Sequence, residues 1–368
     1  MKVNFLDLKA QYLSIKPEID EAIQNVLNKS AFAAGPFVKS FETNFAKRQG
    51  AKFCVGVNNG TSALHAAMMA LNIGPGDEVI VPANTFFATP ESVSLAGAVP
   101  VFVDCEADYY NIDPTKIEAK VTAKTKAVIA VNLYGQPAQL QAIKKVTDRL
   151  GLLLIEDCAQ SHLAELDGKT TGTFGVCGCF SFYPGKNLGA YGEGGAVITD
   201  DEALYNKMMM IRDHGSAKKY YHDVIGHNYR MEGFQGAILD VKLRYLDEWT
   251  NTRRRNADLY RKLLADCPDV VLPKEMAGAK HVYHLFIIRC KQRDELQKYL
   301  QEKEVYTGIH YPIPCHLQKA YAHLGYAKGR FPLSETYADE ILSLPMSEML
   351  KEEEIIYTAE QVKAFFKK

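Results

Sequence analysis

The strongest constraint on how this chain folds is an alternation that runs to about residue 228: short apolar runs separated by longer amphipathic stretches. That pattern is the signature of α/β construction. The runs at 54–58, 78–82, 99–104, 127–133, 152–157, 178–183 and 195–199 read as strands, and helical stretches between them include 62–71, 89–96 and 140–150. The segment Ala127-Val-Ile-Ala-Val131 is apolar at every position. A strand of that kind is covered on both faces, which predicts a mostly parallel seven-stranded sheet flanked by helices. Beyond Asn228 the pattern changes to a long charged helix over 234–264, strands near 283–289 and 306–309, and helices near 293–303 and 358–366. These predict a smaller C-terminal α+β domain. The division expected is 1–243, with the N-terminal segment, and 244–368. A chain of 368 residues can bury a sizeable core in each.

With 43 Lys and Arg against 44 Asp and Glu, the chain carries no overall positive field to attract nucleic acid or an anionic membrane. The run Arg253-Arg-Arg255 reads as the solvated face of the long helix. No apolar run approaches the ~18 residues of a membrane span, and the N-terminus has no signal-peptide core. Eight cysteines are scattered. Cys177 and Cys179 are placed on opposite faces of a strand, with no matching pair elsewhere, so no zinc or other metal site is expected. The expectation is a cytoplasmic protein in a reducing compartment.

Chemistry concentrates at the carboxyl ends of the expected strands, where ligands collect in open α/β sheets. Ser181-Phe-Tyr-Pro-Gly-Lys186 sets a lysine on a tight turn after an apolar strand, and Asp157 closes the neighbouring candidate strand. An amine for a Schiff base and a carboxylate to keep a pyridine nitrogen protonated are what a pyridoxal phosphate enzyme requires. Gly60, Thr61 and Ser62 follow the first strand and open a helix, a position suited to a phosphate. Thr61 or Ser62 is equally suited to an ordinary N-cap. Ser181 is a second phosphate candidate, Gln160 a candidate for the ring's phenolic oxygen, and Phe86 a candidate ring stacker. Taken singly, a loop glutamine and a core aromatic are the plainer readings, and the joint pattern is what points to one site. Neither dinucleotide nor P-loop glycine spacing occurs, which counts against a nicotinamide dehydrogenase.

Four motifs, Asn59-Gly-Thr-Ser-Ala-Leu64, Glu156-Asp-Cys-Ala-Gln160, Ser181-Phe-Tyr-Pro-Gly-Lys186-Asn-Leu-Gly-Ala190 and Gly226-His-Asn-Tyr-Arg-Met231, resemble the DegT/DnrJ/EryC1/StrS family. This is the sugar-modifying branch of the fold-type I aminotransferases, and the resemblance covers nearly the whole chain. It implies that Lys186 bonds the cofactor, Asp157 partners the ring nitrogen, Gln160 the ring hydroxyl, and Phe86 the ring face. Gly60, Thr61, Ser62 and Ser181 are implied to hold the phosphate. Asn228 resembles the residue that reaches the phosphate of the opposite subunit, implying a homodimer with shared sites. Many members carry Ala-His-Gly where this chain has Ser161-His162-Leu163, which opens the local backbone geometry to question. A related dehydratase branch has histidine in place of the lysine, so Lys186 favours amino transfer.

The segment from Gly308 to Gln318 resembles members that aminate C3 of a nucleotide-linked keto sugar, with His310 and Tyr311 as candidate sugar contacts. A rigid proline-bounded loop is the plainer reading of that segment. The resemblance thus implies transfer of the amino group of L-glutamate to C3 of a dTDP-linked 3-keto-6-deoxyhexose. Amination at C4, a UDP-linked sugar, and a non-catalytic regulatory protein that binds pyridoxal 5′-phosphate are the alternatives.

Overall fold

The computed structural model describes residues 1–367. Its centre is a seven-stranded sheet. The strands are β1 (Phe53–Val57), β2 (Glu78–Pro82), β3 (Val99–Val103), β4 (Thr125–Val131), β5 (Leu153–Asp157), β6 (Cys177–Ser181) and β7 (Gly195–Thr199). They lie in the order β1-β7-β6-β5-β4-β2-β3. Only β7 runs against its neighbours, pairing antiparallel with both β1 and β6. The others are parallel, and the chain crosses back over the sheet through helices such as Gly60–Ala70, Ala88–Leu95 and Leu140–Leu150. Residues 127–131 of β4 are all buried, as their unbroken apolar character requires. Alternation decides the rest: Val79, Val81, Ala127 and Ile129 pack into one core, Ile80, Val128 and Leu154 into another on the opposite face.

Each of the expected strands over 54–199 is present, with ends displaced by a residue or two, and 133–135 is a short 3₁₀ turn rather than strand. Cys177 and Cys179 share one face of β6, since side chains two positions apart do, and both pack into the same core cluster. Their placement on opposite faces is therefore corrected. Among the described residues, no group of three or more His, Cys, Asp and Glu is arranged to hold a metal. No helix of the described residues is long and apolar enough to cross a membrane.

The expected helix over 234–264 is two helices, Gly233–Leu243 and Leu246–Leu264, separated at Arg244 and Tyr245. We propose the break as the domain division. Beyond it lies a separate core in which Tyr260, Phe286, Ile288, Leu296, Leu342, Leu344 and Ile355 pack together. Its strands are β8 (Phe286–Arg289) and β9 (Ile341–Leu344), paired antiparallel. Residues 306–309 are not a strand; Gly308 makes a single bridge to Ser343. Val3 joins this core and makes a single bridge to Val305. Arg253 is not solvated. It is 2% exposed, ion-pairs with Glu348 at 2.8 Å, and donates to the carbonyls of Tyr283, His284 and Met346. A buried guanidinium needs that full set of acceptors.

Candidate active site

A cavity of about 880 Å3 opens where the carboxyl ends of β1, β2, β5 and β6 meet the segments around 284 and 310. It brings together Gly60, Thr61, Ser62, Phe86, Asp157, Gln160, Ser181, Lys186, His310 and Tyr311. Asn228 does not line it; it is exposed on its own chain, where its backbone bridges to Asp213.

The first wall is the turn from β1 into the helix Gly60–Ala70. Asn59, not Thr61 or Ser62, is the N-cap: its side chain accepts from the Ser62 amide at 2.8 Å. The Thr61 hydroxyl is left without a partner among the described residues. A Cβ added at Gly60 would lie 2.6 Å from the Ser181 Cβ. Glycine therefore lets the helix N-terminus close onto Ser181, gathering hydroxyls and amides at the positive end of the helix.

The second wall is the end of β5. Asp157 is buried; its Oδ2 accepts from the Thr89 hydroxyl at 2.7 Å and its Oδ1 from the Ala159 amide at 3.1 Å. Burial pushes its carboxyl up, against the opposing pull of these donors and of the Lys186 charge. Thr89 is itself bonded to Thr85 at 2.8 Å. Gln160 is held at both ends of its amide: Oε1 accepts from the Tyr134 amide at 2.6 Å, and Nε2 donates to the Tyr311 hydroxyl at 3.1 Å.

Lys186 sits on a turn closed by its own amide, which donates to the Tyr183 carbonyl at 2.8 Å. Its amine makes no hydrogen bond or ion pair with any described residue. Burial lowers its pKa to about 8, with the Asp157 charge pulling the other way. Phe86 is 53% exposed although it lies against the cavity, its ring 5.3 Å from that of Tyr311. An aromatic face left uncovered inside a pocket is a surface awaiting a flat ligand. On the far side, His310 bonds Ser343 through Nδ1 at 2.7 Å, and its carbonyl accepts from the Tyr134 hydroxyl at 2.5 Å. Burial, reinforced by the Lys186 charge, lowers the His310 pKa to about 4, so its ring is neutral at physiological pH.

A scan against protein-family models matches residues 13–363 to the DegT/DnrJ/EryC1/StrS aminotransferase family. The chain belongs to this family. It is 48% identical over 369 residues to a pleiotropic regulatory protein of Geobacillus stearothermophilus, covering 100% of this chain and 99% of that one. It is 43% identical to the dTDP-3-amino-3,6-dideoxy-alpha-D-galactopyranose transaminase of Aneurinibacillus thermoaerophilus, covering 99% of each. Among solved structures, DesV of S. venezuelae in complex with a ketimine intermediate superposes with a TM-score of 0.98 at 40% identity, covering 100% of this chain and 99% of that one. The fold is that of the fold-type I aminotransferases, and the chain is a sugar aminotransferase dependent on pyridoxal 5′-phosphate.

The residues fit that cofactor. A lysine amine without a partner, a buried carboxylate, an uncovered aromatic face and a helix N-terminus closed on a serine are the separate requirements of its aldehyde, ring nitrogen, ring face and phosphate. Several residues that line the cavity or support its walls carried no signal in the sequence. Thr89 is one turn of helix beyond Phe86, and only the folded chain shows it bonded to Asp157. His65, Tyr134, Tyr229 and His284 likewise reach the site through tertiary contacts. Phe5 and Leu6, near the N-terminus, line the cavity with His310, the Phe5 and His310 rings stacked 5.8 Å apart.

Proposed function

We propose that this family member transfers the amino group of L-glutamate to C3 of a dTDP-linked 3-keto-6-deoxyhexose. The products are 2-oxoglutarate and a dTDP-3-amino-3,6-dideoxyhexose. The observation that carries the reading is the unpartnered Lys186 amine sharing one cavity with the buried Asp157. The choice of sugar is supported by the 43%-identical transaminase, whose substrate class matches the expectation from the segment around His310.

When bound, pyridoxal phosphate supplies an aldehyde that accepts the amino group and a ring that stabilises negative charge at the neighbouring carbon. Everything else falls to the chain. Asp157 holds a negative charge at the ring-nitrogen end, fixed by Thr89 and the Ala159 amide. Phe86 covers one ring face, and Gln160, fixed by the Tyr134 amide, faces the ring hydroxyl. Gly60, Thr61, Ser62 and Ser181 bind the phosphate. Lys186, once released, moves a proton as general base and then as general acid, a task that suits an amine with a pKa of about 8. His310 and Tyr311 contact the sugar. Asn228, which leaves its own cavity untouched, serves the phosphate across a homodimer with shared sites. The protein works in the cytoplasm.

The test is spectroscopic. L-Glutamate should bleach the visible band of the cofactor-loaded protein, and a dTDP-linked 3-keto sugar should restore it. A panel of dTDP- and UDP-linked 3-keto and 4-keto sugars reads the position and the nucleotide. Restoration by a 4-keto or UDP-linked sugar alone would replace the proposed substrate with that one. A second reading, a regulatory protein that binds the cofactor without turnover, is favoured by the name of the 48%-identical relative. A band that glutamate leaves unchanged would select it.

A further inference from the structure

The turn that carries Lys186 is held largely by side chains. Backbone bonds close it only at its ends, where the Lys186 amide donates to the Tyr183 carbonyl at 2.8 Å and the Ala190 amide to the Phe182 carbonyl at 2.7 Å. In between, the amides of Asn187, Leu188 and Gly189 donate to no acceptor among the described residues. Two side-chain bonds fix this stretch from opposite directions. Asn187 Nδ2 donates to the Val282 carbonyl at 2.9 Å, and the amine of Lys242 donates to the Gly189 carbonyl.

Lys242 is 1% exposed, on the helix Gly233–Leu243. An ammonium is costly to bury, and this one makes no ion pair among the described residues. Burial lowers its pKa to about 8 against the pull of the Glu348 charge. What holds it is the Gly189 carbonyl, with the rings of Tyr191 and Trp249 at 4.9 and 5.9 Å. Two turns earlier on the same helix face, Gln235 Oε1 accepts from the Tyr191 amide at 3.0 Å. One face of this helix therefore grips the chain at both Gly189 and Tyr191. A Cβ added at Gly189 would lie 2.3 Å from the Pro184 carbonyl oxygen, so the two limbs of the turn touch and a shift of Gly189 is passed to Lys186 between them. The charge of Lys242 does not reach the Lys186 amine, on which only burial and Asp157 act.

We infer that Lys242 is a positioning residue for Lys186: by holding the Gly189 carbonyl it fixes the turn that keeps the Lys186 amine in the cavity. The inference rests on Lys186 being the cofactor lysine, and it gives a function to a buried amine that touches neither cofactor nor substrate.

Binding of two cofactor forms to cofactor-stripped protein tests it without turnover. Pyridoxal phosphate bonds the lysine; pyridoxamine phosphate has the same ring and phosphate but no aldehyde, so it does not. Lys242→Met fills the same space without a donor. It should weaken pyridoxal phosphate binding about tenfold, the worth of one hydrogen bond from a charged group. Pyridoxamine phosphate binding should change no more than about threefold. Lys242→Gln, whose side chain ends one bond short of the amine, serves where Lys242→Met does not fold and should show the same selective loss. The glutamate half-reaction should slow about 10- to 100-fold in Lys242→Met. In Lys186→Ala supplied with methylamine as the free amine, Lys242→Met should cost no more than about threefold, because the lysine it positions is gone. Equal losses for the two cofactor forms, unchanged pyridoxal phosphate binding, or equal costs of Lys242→Met in both backgrounds would overturn the proposal. A natural protein that captures cofactor but takes no amino group from glutamate would overturn the proposed function instead, with the two binding measurements still deciding this inference.

Discussion

Two carboxylates adjacent in sequence, Glu156 and Asp157, lead into two different regions of the molecule. Strand alternation at the end of β5 sends them to opposite faces. Behind the strand, Glu156 is fully buried and accepts the amides of Gly172, Phe174 and Gly175 at 2.7, 2.7 and 3.0 Å, with the Asn132 side chain at 3.4 Å. His162 donates to the Ser181 carbonyl at 3.0 Å on the same side, with Phe180 and Phe182 around it. In front of the strand, Lys186 has no partner and Phe86 is uncovered. Both regions contain buried ionisable groups whose pKa values are displaced by burial. A displaced pKa therefore does not separate scaffold from site here. Unspent bonding capacity that opens to the cavity does: His162 Nδ1 behind the strand is also without a partner but is sealed, whereas the Lys186 amine lies in the cavity, where a ligand can satisfy it.

The comparison breaks first at Lys186. Lys186→Ala should reduce turnover on the order of 10⁴-fold or more while leaving the melting temperature within a few degrees, since the amine bonds nothing in the fold. Paired turnover and thermal-unfolding measurements check this, and full turnover would remove Lys186 from the chemistry. The sign of the pH effect follows from the lowered pKa. Below about 8 the amine is mostly protonated, so cofactor capture by stripped natural protein should rise about tenfold per pH unit and level off above that value.

Glu156 should behave in the opposite way. Glu156→Ala strands two buried backbone amides and a third that is half-buried, and should cost about 3–5 kcal/mol, read as a lower denaturant midpoint. The fraction that stays folded should keep a turnover within about tenfold of the natural protein. If the variant were as stable as the natural protein, the loop from Gly172 to Gly175 would not depend on the carboxylate, and the division into scaffold and site would need redrawing.

How legible each region was in the sequence follows the range of the interactions that build it. The strands, five to seven residues long, were readable because the short apolar runs at their centres are local signals. The front of β5 was readable because Asp157 and Gly60 stand at or just past strand ends and Lys186 follows a Pro-Gly turn after another, in motifs that resemble one family. The helix break at Arg244 and Tyr245 was not. Helical periodicity continues across it and no glycine or proline marks it; just before it, Lys242 is buried, donates to the Gly189 carbonyl, and lies 4.9 Å from the Tyr191 ring, contacts that no local pattern announces. Arg253 looked like part of a solvated basic run because Glu348, its partner, is 95 positions away. The helix Glu202–Arg212 and the strand Ile341–Leu344 also went unassigned; the latter is defined by its pairing with Phe286–Arg289. Thr89, Tyr134 and His284 belong with these, since each acquires its role from a partner far along the chain.

Leu163 gives the smallest effect and the finest test of the line between the two regions. It stands where the family resemblance implies a glycine, and its backbone is at φ +58°, so the leucine occupies the left-handed region that glycine favours. That conformation carries strain, about 1–2 kcal/mol for a side chain. Against this, the leucine is 4% exposed and packs into the cluster that holds Phe180 and Phe182, a burial that contributes about 2 kcal/mol. Leu163→Gly relieves the strain, loses the burial, and adds the entropy of glycine in the unfolded chain, about 0.5–1 kcal/mol. The balance is a net loss of no more than about 1–2 kcal/mol, with turnover and the pH midpoint of cofactor capture unchanged. Urea unfolding beside single-turnover kinetics measures both. A kinetic change without a stability change would mean that the turn behind β5 is coupled to the cavity in front of it, and that Leu163 belongs to the site.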